Sequence, residues 1–126
     1  MKHSPEFTKL CQDAARRVDE IEPAQVNDLL QQDNCPVIID VREQAEFTRS
    51  HLPKAKHLSR GIIEIHIHKL ANKDTPIILY CGGGNRSLLA GDNLLKMGYS
   101  NVQSMTGGFR GWVNNSYPVA SDDQQG

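Results

Sequence analysis

Cys81 is followed by Gly82, Gly83 and Gly84, and then by Asn85, Arg86 and Ser87. This order sets a nucleophile, a run of residues without side chains and a cation close together in the chain. The thiolate is the reactive form of cysteine, and a helix N-terminus or a nearby cation stabilises it. Three glycines continue neither helix nor strand cheaply, so the stretch reads as a loop whose amides face a bound anion. Ile77-Ile78-Leu79-Tyr80 before it reads as a strand entered at Pro76, and Ser87 to Met97 reads as a helix capped at Gly98. In such a strand–loop–helix unit, loop amides and the helix N-terminus converge beyond the strand's carboxyl end. Cys81 belongs at that point, and Arg86 returns its cation to it. The chemistry on offer is thiolate attack on a small anion.

The remaining chemistry-bearing residues read more plainly. Gly82-Gly83-Gly84 matches neither of the two common phosphate-binding glycine motifs, which argues against a nucleotide site. Cys11 sits on the apolar face of a helix and Cys35 has no cation within three residues, so both read as packing thiols. The three cysteines form no C-x-x-C pair and leave an odd number, which predicts a reducing compartment with at least one free thiol and no disulfide framework. His66 and His68 lie two apart and would not face one another on a helix, so no metal site and no cofactor is expected. His51 reads as a packed turn residue, because a thiolate needs no general base. Asp40 at a strand end suits a carboxylate capping nearby loop amides. Phe109 and Trp112 read as core packing after a turn.

The elements that must position these residues follow from periodicity. Phe7, Leu10, Cys11, Ala14, Val18 and Ile21 form the stripe of an N-terminal amphipathic helix, expected to pack as an extra layer. Pro23 opens a second helix running to about Gln32 that buries Val26, Leu29 and Leu30. Val37 to Val41 is a buried strand, Glu43 to Ser50 a helix with Ala45 and Phe47 inside, and Val102 to Met105 a further strand. Lys56 to Ala71 is the least legible stretch and reads as helix. Gly107-Gly108 turns the chain into a terminal segment around Trp112, and residues from Ser121 onward read as frayed. Strands alternating with helices predict a parallel α/β sheet. The 126 residues suit a single domain, divided as an N-terminal helical extension (1–20), the main domain (21–120) and a short tail (121–126). A net charge of -1 with no long charge run argues against nucleic acid and anionic membranes as partners. The start carries no apolar leader and no run long enough to span a bilayer, so a cytoplasmic protein is expected.

At this point the sequence resembles a known family. Ile38-Ile39-Asp40-Val41-Arg42-Glu43 with Glu46-Phe47, then His51-Leu52-Pro53 with Ala55, then Tyr80 to Ser87 followed by Gly107-Gly108 and Trp112, are together similar to the rhodanese superfamily. The likeness runs from about Ile21 to Trp112. It implies an α/β fold with a mostly parallel sheet of about five strands flanked by helices. It also implies a sulfurtransferase in which Cys81 becomes a persulfide. A donor such as thiosulfate would load the cysteine, and cyanide or an acceptor thiol would unload it. That thiol could be a small one, thioredoxin or a biosynthetic protein. On this resemblance the amides of Gly82, Gly83, Gly84, Asn85, Arg86 and Ser87 hold the persulfide, Arg86 attracts the donor, and Asp40, Arg42, Glu46 and His51 support the loop. The chain departs from the family in having Ser50 and Lys54 where glycines are common, and Gly83 where serine or threonine is common. Alternatives are a module that relays a protein-borne persulfide or merely docks partners, and a cysteine phosphatase or arsenate reductase. Related phosphatases place five residues between cysteine and arginine, whereas here there are four. One residue spans up to about 3.6 Å, so the shorter ring suits a single sulfur better than a tetrahedral phosphate.

Overall fold

A computed structural model describes residues 3–121. In chain order the elements are α1 (Pro5–Ala15), β1 (Asp19–Ile21), α2 (Pro23–Leu30), β2 (Val37–Asp40), α3 (Gln44–Arg49) and β3 (Lys56–His57). There follow α4 (Ile63–His66) with a 3-10 turn at Ile67–Lys69, β4 (Ile77–Tyr80), α5 (Asn85–Lys96), β5 (Val102–Met105) and α6 (Gly108–Asn114). The five strands form one sheet in the order β1-β5-β4-β2-β3, and every pairing between them is parallel. Strand β4 is central and buried along its whole length, and Cys81 follows its last residue.

Successive residues of β4 face opposite sides of the sheet, as the two-residue period of a strand requires. Ile77 and Leu79 pack into a core with Ile39, Ile63, Ile67, Ala90 and Leu94. Ile78 and Tyr80 pack into another with Val26, Leu30, Leu52, Met105 and Trp112. The β4 helix partner α5 is therefore covered on its inner side by the sheet. On its outer side Leu88 and Leu89 meet Cys11, Ala14 and Val18. The N-terminal helix is thus the extra layer that the sequence predicts. Ser4 caps it by accepting the Phe7 amide, and Pro5 occupies its first turn.

Several expectations are corrected. The apolar stripe from Phe7 to Ile21 is not one helix, because α1 stops at Ala15 and Ile21 lies in β1, paired with Met105. Val18 and Ile21 are buried as expected, but by a bend and a strand. Leu10 on that stripe is 53% exposed, and Ala45 of α3 is exposed rather than inside. Lys56–His57 is the edge strand β3, not part of a helix, and the helix that follows it is only one turn before the 3-10 segment. Ile63 and Ile67 are buried while Ile62 and Ile65 are exposed, a four-residue step that fits the helical turn. The frayed tail expected from Ser121 falls almost wholly outside the described residues.

Candidate active site

Cys81 leaves the carboxyl end of β4 and turns at once into α5, so its sulfur faces the first amides of that helix. The Gly84 amide donates to Sγ at 3.1 Å and the Ser87 amide at 3.4 Å. One donor is the residue that caps α5 and the other lies in its first turn, so the sulfur sits at the N-terminus of that helix. The Ser87 hydroxyl lies 3.5 Å from Sγ, donates to the Gly84 carbonyl at 3.3 Å and sits 2.7 Å from the Ser104 hydroxyl. Ser104 belongs to β5 and is fully buried, so a polar relay runs from the sheet interior to the sulfur. Of the six loop amides the resemblance implies, those of Gly84 and Ser87 reach the sulfur itself.

The loop is fastened from behind by α6. The Phe109 amide donates to the Cys81 carbonyl at 2.7 Å, and the Arg110 amide donates to the Gly82 carbonyl at 3.1 Å. Gly108 makes this contact possible. Its φ is +58°, and a Cβ there would lie 2.5 Å from the Cys81 carbonyl oxygen. The Gly107-Gly108 pair is therefore part of the site as well as a turn.

Two arginine–carboxylate pairs flank the loop. Asp40 ends β2, accepts the Arg42 amide at 2.8 Å, and holds the Arg42 guanidinium at 2.7 Å. Arg42 also donates to the Ser50 carbonyl at 2.6 Å and lies 4.2 Å from the centre of the Phe109 ring. Burial opposes the Arg42 charge, but Asp40, helped by Tyr80 and Glu46, outweighs it and raises the guanidinium pKa. Asp40 is thus the amide-capping carboxylate that the sequence predicts. At the mouth, Glu46 of α3 pairs with Arg86 at 3.3 Å and caps its own helix through the Glu43 amide. Burial would raise the Glu46 pKa, but the Glu43 amide and Arg86 together lower it. His51 is packed as expected: it stacks on Phe47 with ring centres 3.9 Å apart, and its Nδ1 lies 2.7 Å from the Phe47 carbonyl. Its backbone pairs with Ala120, which ties the end of the described chain to the turn.

The departures from the family have local explanations. Ser50 is extended, at φ -170°, and needs no glycine. Lys54 has φ +68°, a conformation that costs a side-chain-bearing residue about 1–2 kcal/mol. Its ammonium donates to the Leu30 carbonyl at 2.8 Å, which offsets part of that cost. At Gly83, the guanidinium of Arg110 lies where a Cβ would stand.

Above the sulfur opens a cavity of about 740 Å³ lined by Arg42, Glu46, Arg60, Arg86, Phe109 and Arg110, with His3 and Phe7 of the N-terminal segment along one side. The sequence reading missed Ser104, Gly108 as a packing residue, Arg60 and Arg110. Arg110 is foreshadowed only by a cation beside a double glycine, and Arg60 by nothing local. Cys35 stands apart from this chemistry, whereas the Cys11 thiol lies against the start of α5, with its Sγ donating to the Asn85 carbonyl at 3.9 Å. Burial pushes both thiols up, only partly opposed by Arg60 at Cys11 and by Lys54 at Cys35. All three cysteines are free thiols. Among the described residues no helix is long and apolar enough to cross a membrane.

The site is thus a thiol at the carboxyl end of the central strand of a parallel α/β sheet, held by backbone amides under a cavity lined by arginines. A sequence model described as the rhodanese-like domain matches residues 22–115, and the chain belongs to that family. It is 36% identical over 100 residues to the thiosulfate sulfurtransferase GlpE of Haemophilus influenzae, covering 79% of this chain and 92% of the relative. The polysulfide-sulfur transferase homodimer of Wolinella succinogenes superposes with a TM-score of 0.78 at 25% identity, over 92% of this chain and 88% of that one. A Rhodopseudomonas palustris protein of unknown function, described as a possible tyrosine phosphatase, superposes with a TM-score of 0.81 at 24% identity. It covers 95% of this chain and 98% of its own, and shows the shared fold. The relatives named as sulfurtransferases support sulfur transfer as the class of chemistry.

Proposed function

We propose that the chain is a thiosulfate-type sulfurtransferase that carries sulfur as a persulfide on Cys81. The observation that carries this reading is the Cys81 sulfur itself, held by the Gly84 and Ser87 amides beneath a cavity lined by arginines. In the first half-reaction the Cys81 thiolate attacks the outer sulfur of thiosulfate. A new S–S bond forms, the S–S bond of thiosulfate breaks, and sulfite leaves with the electron pair. In the second half-reaction cyanide or an acceptor thiolate attacks the outer sulfur of the persulfide. Cys81 then leaves as thiolate, stabilised by the same two amides. Arg86 guides the anionic donor, and Asp40, Arg42, Glu46 and His51 hold the loop and its surroundings. The free thiols fit a reducing compartment such as the cytoplasm, where a small thiol, thioredoxin or a biosynthetic protein could serve as acceptor.

Steady-state formation of thiocyanate from thiosulfate and cyanide tests the reading. Ping-pong kinetics, lost in Cys81→Ser, are expected. An inactive parent that instead hydrolyses an aryl phosphate through Cys81 would overturn the reading in favour of a cysteine phosphatase.

A further inference from the structure

We infer that Arg110 is a second anion-binding residue of the site, and that glycine at 83 exists to admit its guanidinium over the loop. This inference rests on the reading of the cavity as a site for an anionic sulfur donor. Two of the four arginines lining the cavity are already neutralised, Arg42 by Asp40 and Arg86 by Glu46. Arg60 and Arg110 have no ion-pair partner among the described residues, so the uncompensated positive charge sits with them.

Of the two, Arg110 is the one locked to the nucleophile's loop. Its amide donates to the Gly82 carbonyl at 3.1 Å, which fixes its register beside Cys81. Its guanidinium Nη2 occupies the place of a side chain at Gly83, so any Cβ there must push it aside. Arg86 reaches the neighbouring loop residue, with its Nη2 3.0 Å from a Cβ built on Gly82. The two guanidiniums thus lie over adjacent residues of the loop, and together form a clamp for the sulfonate end of a donor whose outer sulfur meets Cys81. Arg110 is exposed and Gly83 is not in the positive-φ region, so Arg110→Ala and Gly83→Ala both leave the fold intact.

The test measures the second-order rate of Cys81 modification by anionic thiosulfate and by the neutral reagent methyl methanethiosulfonate. For Arg110→Ala we expect thiosulfate loading to slow by about tenfold, as for one lost charge-assisted hydrogen bond, with the neutral reagent unchanged. Gly83→Ala should slow thiosulfate loading less, and should have no further effect in the Arg110→Ala background. Unchanged thiosulfate loading in Arg110→Ala would overturn the inference. So would equal slowing by both reagents, or independent effects of the two substitutions. A parent that reacts with the neutral reagent but never with thiosulfate would sink the donor reading itself, and the inference with it.

Discussion

Two arginine–carboxylate pairs stand on either side of the active loop, and they differ chiefly in burial. In Asp40–Arg42 the side chains are 0% and 6% exposed, whereas in Glu46–Arg86 they are 39% and 33% exposed. The buried pair spends its hydrogen-bonding capacity on the protein: Asp40 takes the Arg42 amide, and Arg42 takes the Ser50 carbonyl and the face of Phe109. The exposed pair stands at the mouth of the cavity, where both charges stay within reach of water. The same chemistry is thus a strut where water is excluded and part of a binding surface where it is not. Breaking a buried pair leaves a charge without solvent or partner, while an exposed charge is simply rehydrated.

This contrast predicts a graded series. Asp40→Ala strands the Arg42 guanidinium and should cost about 3–5 kcal/mol in denaturant unfolding, and Arg42→Met, which strands the fully buried Asp40 carboxylate, should cost about as much. A tolerated Asp40→Ala would erase the distinction between the two pairs. Gly108→Ala comes next. Its Cβ meets the Cys81 and Gly82 backbone, so it should cost about 1–3 kcal/mol and remove most sulfur-transfer activity by displacing the loop. Glu46→Gln keeps the amide cap on Glu43 but frees the Arg86 charge, so the KM for thiosulfate should fall by about threefold with little change in melting temperature.

The smallest effect belongs to a third pair, Arg17–Asp92, which joins the end of the N-terminal helix region to α5 at 2.7 Å. The Arg17 hydrogen bond, against opposing burial, holds the Asp92 pKa below the ordinary carboxylate value. A lowered folded-state pKa contributes stability that is complete above the ordinary value and lost as pH falls through the lowered one. The melting temperature of Asp92→Asn should therefore fall short of the parent's at neutral pH, with the gap closing below about pH 4. A gap independent of pH would show that packing rather than charge joins the two helices.

Much of this was legible in the sequence where local signals agree. The run Ile77 to Tyr80, the glycines after it and the helix from Ser87 place Cys81 without reference to the rest of the chain. Asp40 and His51 were legible as structural residues for similar reasons. What escaped depends on contacts between distant segments. Strand β1 has only three residues, and its apolar Ile21 continues the α1 stripe by coincidence of spacing, so pairing with β5 alone decides it. The two-residue β3 is defined by its ladder with β2 in the same way. Ser104 and Arg110 reach the site only because β5 and α6 are folded beside β4, and the double glycine before Arg110 is the one local hint of either.

The central claim is that Cys81 carries the sulfur, and intact-protein mass spectrometry after mixing the reduced protein with thiosulfate tests it most directly. The account predicts a gain of one sulfur atom in the parent, removed by cyanide and absent in Cys81→Ser. A parent that gains no sulfur while its Cys81 thiol stays reactive, or a Cys81→Ser variant that gains it equally, would contradict the account.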